Sequence, residues 1–328
     1  MRTQAIGRAG LSCAVICIFG GAVAAFGQSN LQFTGIQVLT NKEVALTLGL
    51  SNAPFYRIET SSNLAPWQAL VTLPGSGTSL AHTDSAAPYL NHRLYRAELL
   101  NDTNTLSGDH LTTSDGDVVF HPIRHATFVM TWQGKTIYND PTNAAAPFPG
   151  LPKADLILVT HVHTDHFNGQ TLDAVRGPNC VIVTSQNVYN SMSTALRGIT
   201  KVLGYGGTTN VTGINIEAVP AYNPVYHPYG TGNGYVLTTG GKRIYIAGDT
   251  GDVTEMRTLS NIDVAFIPMN LPYTMSTSNA AAIVRDFLPK VVYPYHFKNQ
   301  DQTLADLNDF KRRVGQDLGI EVRLRKWY

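Results

Sequence analysis

The sequence predicts an α+β chain in which a small all-β domain precedes a larger αββα sandwich of two mixed sheets held between helices. Three observations predict it. Residues 31–100 break into short strand-like runs separated by turn clusters. From residue 115 onward strands come first and then alternate with helices. Within that second part, Asp155-Leu156-Ile157-Leu158-Val159-Thr160 is apolar almost throughout, as a strand covered on both faces must be. A chain of 328 residues with a hydrophobic fraction of 43% can bury one large core and a smaller second one. Its 29 glycines and 17 prolines suit a turn-rich fold and not a helical bundle.

Residues 1–27 read as a signal peptide and not as part of the fold. Arg2 and Arg8 supply the positive start, residues 11–26 an apolar stretch too short to span a bilayer comfortably, and Ala25-Phe26-Gly27 small residues at the positions a signal peptidase reads. Cleavage is expected after Gly27, which predicts a secreted or periplasmic protein with no stable membrane insertion once the leader is gone. Cys13 and Cys17 would leave with the leader. Cys180 is then the only cysteine, so no internal disulfide can form despite the oxidising compartment. It precedes Val181-Ile182-Val183 and reads as a buried core thiol, not a nucleophile.

In the all-β segment, Val44-Ala45-Leu46-Thr47-Leu48 is expected to pair with Phe55-Tyr56-Arg57-Ile58-Glu59, with Trp67 as a core anchor. The stretch Tyr56-Arg57-Ile58-Glu59-Thr60-Ser61-Ser62-Asn63-Leu64, with Trp67 after it and Tyr95-Arg96-Ala97 at the end, resembles fibronectin-like accessory modules of secreted bacterial proteins. The resemblance implies either a surface or glycan as partner or a passive spacer. Residues 101–114 read as a polar linker, and the second domain as residues 115–328.

That domain opens with strands at residues 117–123, 125–132 and 135–139, the last two turning at Gln133-Gly134. After the buried strand at 155–160 come a strand at 181–184 and a helix at 185–196. Strands follow at 214–219, 234–238 and 243–247, then a short helix at 253–259. A buried strand at 263–267, a helix at 278–287, a strand at 291–293, a helix at 301–314 and a strand at 321–325 complete it. Residues 223–234, rich in Pro, Tyr and Gly, and residues 269–275 read as loops that wall a pocket, with Tyr222, Tyr226, Tyr229 and Tyr273 available to meet a ring or sugar.

The chemistry concentrates in Thr160-His161-Val162-His163-Thr164-Asp165-His166, directly after the buried strand. Four metal-capable side chains in six positions at the carboxyl end of a strand are costly for an ordinary turn. Strand alternation would set His161 and His163 on one side to grip one ion, with Asp165 and His166 facing a neighbouring one. Imidazole and carboxylate suit zinc, with iron and manganese as alternatives.

His-x-His-x-Asp-His after an apolar strand resembles the signature of the metallo-β-lactamase superfamily. His125-Ala126-Thr127, Lys135-Thr136-Ile137-Tyr138 and Asp140-Pro141 resemble the opening hairpins of its branch with ascorbate-6-phosphate lactonase and N-acylphosphatidylethanolamine phospholipase D. Ala247-Gly248-Asp249-Thr250 and Pro294-Tyr295-His296-Phe297 resemble the bridging-aspartate and last metal-histidine motifs, so the likeness covers about residues 115–328. It implies two divalent ions, zinc first, held by His161, His163, Asp165, His166, Asp249 and His296. Asp165 would also be catalytic, orienting the attacking water. The superfamily's third histidine for the first ion falls where this chain has Asn223; either Asn223 or His227, four residues on, is the candidate for metal or substrate contact. Asp140 and His125 are candidates for supporting the ligands.

The resulting expectation is a hydrolase using metal-activated water on a small molecule, a lactone or another cyclic or phosphorylated ester. The alternatives are a metallo-phosphodiesterase and, in another class, a degenerate metal-binding surface protein without catalysis. A net charge of +1 with no basic run gives no case for nucleic acid, and no Gly-x-Ser-x-Gly elbow supplies a serine nucleophile.

Overall fold

A computed structural model describes residues 31–142 and 148–328 in full and the backbone of Ala14–Phe19 and Ala22–Gly27. Those two short strands pair antiparallel. The rest of the expected leader, with Arg2, Arg8 and Cys13, lies outside the described residues. The chain divides into two compact units, Met1–Thr112 and Thr113–Tyr328.

In the first unit, Val44–Gly49 pairs with Gln32–Val38 and Ser79–Asp84, while Phe55–Ser61 lies between Gln68–Pro74 and Arg93–Leu100. The two strands expected to pair, at 44–48 and 55–59, therefore belong to opposite sheets. Their inward residues meet across the core instead: Leu46, Leu48, Tyr56, Ile58, Val71 and Tyr95 form one buried cluster. Trp67 is only half-buried and lies under the Arg96 guanidinium, 4.7 Å from its ring centroid. Tyr56 and Tyr95 anchor the core in its place, both fully buried, with the Tyr95 hydroxyl donating to Asp84 Oδ2 at 2.8 Å. The expected linker at 101–114 is not irregular throughout. Gly108–Thr113 is a strand paired to Val71 and Thr72, because polar Asp109 and His110 are buried there and His110 Nε2 meets the Thr72 hydroxyl at 2.8 Å.

The second unit contains two sheets. The first runs, in spatial order, Thr200–Val202, Arg176–Thr184, Ala154–Leu158, Lys135–Asn139, Thr127–Trp132 and Gly116–Arg124. The second runs Thr208–Val211, Ile214–Asn223, His227–Thr239, Lys242–Ile246, Val264–Pro268, Val291–Tyr295 and Glu321–Val322. Phe266 of the second sheet stacks on Phe128 of the first with centroids 4.2 Å apart, and Phe120 and Trp327 close around it at 5.5 and 6.4 Å. The helix Thr277–Phe287, capped by Ser276, buries Ala280, Ile283, Val284 and Phe287 and packs on the second sheet through Tyr245. This is the αββα sandwich the pattern predicts. Cys180 is buried and free, its thiol pushed up to about 12 by burial.

Several bounds differ. The expected helix at 185–196 is two pieces, Gln186–Asn190 and Thr194–Arg197, because Ser193 caps a new start by accepting from the Leu196 amide. The helix expected from 301 begins at Leu307, where Asp306 accepts from the Asp309 amide. The last strand is only Glu321–Val322. The supposed pocket loop at 223–234 is largely an antiparallel hairpin, in which backbone pairing overrides the Pro, Tyr and Gly content that signals a loop.

Candidate metal centre

Parallel strands deliver the site residues from their carboxyl ends. In the first sheet Lys135–Asn139 lies beside Ala154–Leu158. Asp140 follows the one and residues 161–166 the other. In the second, Lys242–Ile246, Val264–Pro268 and Val291–Tyr295 are parallel neighbours. Asp249, Asn270 and His296 follow them in turn.

The strand before the histidine run ends at Leu158, so simple alternation does not place His161 and His163. A turn does, in which the amides of His166 and Phe167 both donate to the His163 carbonyl, at 2.9 and 2.8 Å. Asp140 clamps this turn. It accepts from the Thr160 amide at 2.7 Å and the Thr160 hydroxyl at 2.8 Å, and its Oδ2 is 2.8 Å from His166 Nδ1. That contact keeps the proton on Nδ1 and turns the Nε2 lone pair of His166 into the site. Gly248 reaches φ +66°, open to glycine without strain, and its amide donates to the Tyr295 hydroxyl at 2.9 Å, which aims Asp249.

Three overlapping groups result: His161, His163 and His227; His161, His166 and Asp249; and His125, Asp165, His166 and His296. His227 Nε2 lies 3.2 Å from His163 Nδ1, and His296 Nε2 lies 3.0 Å from His166 Nε2. Asp249 stands between the clusters. Its Oδ2 is 4.0 Å from His161 Nε2 and 3.5 Å from His227 Nε2, while its Oδ1 is 3.4 Å from His166 Nε2 and 3.5 Å from His296 Nε2. Ligands bound tetrahedrally at about 2.1 Å are themselves about 3.4 Å apart, so these spacings fit donor sets converging on cations. The orphaned atoms fit as well: His161 Nε2 and Asp249 Oδ1 are buried with no hydrogen-bond partner among the described residues.

The electrostatics point the same way. Burial alone would raise the Asp249 carboxyl, but the charges of His296, His166 and His161 around it hold it well below its ordinary range. Burial would lower His166, yet Asp249 and Asp140 hold it well above its ordinary value. His161, enclosed and facing His166, is pushed well down. With no ion bound, the carboxylates draw a proton onto His166; the same negative charge would favour a cation in its place.

Asn223 and His227 have different surroundings. The Asn223 amide nitrogen donates to the Tyr273 carbonyl at 3.1 Å and its oxygen accepts from Val225, so both ends are engaged. Asn223 and His227 face each other across the hairpin, and it is His227 that enters the histidine cluster. His125 also reaches the centre, its Nε2 2.9 Å from Asp165 Oδ2 and its Nδ1 2.6 Å from the Tyr328 hydroxyl.

A cavity of about 430 Å³ opens on the centre. His163, Asp165, His227 and Asp249 line it from the clusters, and Val225, Tyr226, Asn270 and Tyr273 complete its lining. Of the four tyrosines read as pocket walls, Tyr226 and Tyr273 pack edge to face at 5.0 Å. Tyr222 instead donates to Glu255, and Tyr229 packs on Tyr205 and Tyr222. Sequence reasoning gave Asn270 no role of its own; its position at the carboxyl end of a buried parallel strand was the available signal.

The family model described as "Beta-lactamase superfamily domain" matches residues 121–296, which include every residue of the two clusters. A protein of Ligilactobacillus salivarius named UPF0173 metal-dependent hydrolase is 34% identical over 212 residues, covering 62% of this chain and 95% of its own. The crystal structure of a protein from Parabacteroides distasonis, described as a metal-dependent hydrolase, is 39% identical with a TM-score of 0.60, covering 67% of this chain and 99% of its own. Igni18, a metallo hydrolase of Ignicoccus hospitalis, is 26% identical with a TM-score of 0.56, covering 64% and 95%.

Proposed function

The chain belongs to the β-lactamase superfamily, and on that premise we propose that it hydrolyses a lactone, or another cyclic or phosphorylated ester, with two divalent ions, zinc first. Its relatives' description as metal-dependent hydrolases makes it a metal-dependent hydrolase in the coarse sense; the metal, the count and the substrate are our reading. The observation that carries the reading is Asp249, whose two carboxylate oxygens face one histidine cluster each. His161, His163 and His227 would hold one ion, and Asp165, His166 and His296 the other, with Asp249 shared. Bound there, the ions would supply Lewis acidity and a water acidic enough to attack at neutral pH.

The chain's own groups do the rest. Asp165 is half-exposed at the cavity and ionised, because contacts with His125, His296 and His166 outweigh its burial. It is suited to orient an attacking water while His125 holds its second oxygen in place. Tyr226 and Tyr273 offer flat faces to a ring, and among the residues lining the cavity there is no Lys or Arg. That favours a neutral ester over a phosphodiester. The third histidine, supplied by His227, argues against a degenerate, non-catalytic centre.

The test is elemental analysis with turnover of a model lactone and a model phosphodiester by chelated and zinc-reloaded protein. Two ions per chain with lactone turnover support the reading. His163→Ala should lose the first ion and activity together; activity retained without that ion would overturn it. We further propose export, from the leader at residues 1–27, and a surface or glycan partner for the first unit; glycan-array binding by the full chain tests the latter.

A further inference from the structure

We propose that Asn270 is a positioning residue for the second cluster: its carboxamide oxygen accepts the Nδ1 proton of His296, turning the His296 Nε2 lone pair to the ion.

The argument starts from two atoms. Asn270 Nδ2 is placed 2.8 Å from His296 Nδ1, and Asn270 Oδ1 is buried with no partner among the described residues. With that placement His296 accepts at Nδ1 and must carry its proton on Nε2, the atom 3.0 Å from His166 Nε2 and 3.5 Å from Asp249 Oδ1. An Nε2–H cannot be a metal ligand, and every other donor of the cluster converges on that spot. The two ends of a carboxamide have the same shape, so hydrogen-bond partners decide which is which. Turning the amide over puts Oδ1 against Nδ1, moves the imidazole proton to Nδ1 and frees Nε2. It is the same tautomer that Asp140 enforces on His166.

The rest of the residue is fixed whichever way the amide points. The Asn270 amide nitrogen of the backbone donates to the Thr274 hydroxyl at 2.7 Å, and its carbonyl accepts from the Thr274 amide at 2.7 Å. The side chain is thus a rigid arm of which one end is spent on His296. The other end is buried and has no partner among the described residues. Asn270 stands beside the cavity together with Asp249 and His163.

The inference rests on the proposed metal centre, and its test reads the ion apart from the reaction. Zinc affinity of the weaker and tighter sites is measured by competition with a fluorescent chelator, alongside kcat and KM on a model lactone, for Asn270→Ala and Asn270→Asp. Alanine removes the acceptor, so second-ion affinity should fall about 10- to 100-fold and kcat with it. Aspartate can still accept from Nδ1–H, so it should restore the affinity. Unchanged ion affinity in Asn270→Ala, or an equal loss in Asn270→Asp, would overturn the positioning role. Wild-type protein that binds two ions but turns over no ester would sink the hydrolase reading and leave the affinity measurement standing.

Discussion

Single residues carry the centre unequally. The run from His161 to His166 is legible in the sequence because four donors are contiguous and no fold is needed to bring them near one another. Asp249 is legible as a ligand because Thr250 and Asp252 can cap the following helix in its place, whereas His296 alone reads as a packed histidine and becomes a ligand only through the surrounding pattern. His227 could not be chosen over Asn223 from sequence: the two are partners across the hairpin, and what separates them is the engagement of the Asn223 carboxamide by Tyr273 and Val225, which is a property of the folded chain. The choice is open to direct measurement. His227→Ala should weaken one zinc by more than the roughly 10- to 100-fold that losing a ligand's hydrogen-bond partner costs, while Asn223→Ala leaves both ions in place. Chelator competition on the two variants reads the difference, and the reverse ranking would return the role to Asn223.

At the scale of elements, three site residues sit in the left-handed region open chiefly to glycine: His125 at φ 58°, Asp140 at 44° and His296 at 46°. Each immediately follows a strand, where the chain must turn at once to aim a side chain across the cleft. Such positions cost on the order of 1–3 kcal/mol each and survive because hydrogen bonds over-determine them. No sequence pattern announces them, because composition favours glycine or asparagine where this chain keeps histidine and aspartate. The first unit holds a different local device. Asp84, fully buried at the end of Ser79–Asp84, accepts from Arg93 Nε at 2.6 Å and from the Tyr95 hydroxyl at 2.8 Å. Burial would raise its carboxyl, but Arg93 and Tyr95 outweigh it and hold it below the ordinary value. A depressed folded pKa means the stabilisation is whole above the unfolded value of about 3.9 and is lost as pH falls through the folded one. Asp84→Asn should therefore cost about 3 kcal/mol at pH 7 in denaturant unfolding of the full chain. The gap from wild type should narrow at an acid pH below the ordinary carboxyl value, as Asp84 takes up its proton in the folded state. A gap of equal size at both pH values would mean the ion pair is not the source.

For the whole molecule, the two units differ in what their sequences disclose. The sandwich of Thr113–Tyr328 was legible because strands covered on both faces read as continuous apolar runs, and because helix and strand periods alternate along the chain. The pairing inside the first unit was not, since alternation shows which face of a strand is buried but not which sheet it joins. Function follows the same division. Every residue of the three donor groups lies between His125 and His296, inside the second unit. The Ligilactobacillus and Parabacteroides relatives are covered over 95% and 99% of their own lengths while taking up only 62% and 67% of this chain, so neither is long enough to hold counterparts of both units. The core around Phe266, with Phe128, Tyr293 and Trp327, is likewise internal to the second unit. Residues 113–328 expressed alone should thus fold cooperatively, bind the same number of zinc ions as the full chain, and keep its kcat/KM on a soluble model ester. Their melting temperature should rise with added zinc, by the linkage that any ligand of the folded state alone obeys. If the shortened chain binds both ions but loses turnover, the first unit is needed for activity. If it loses the ions, the centre depends on residues outside the groups identified, and the assignment of ligands from His125 to His296 is incomplete.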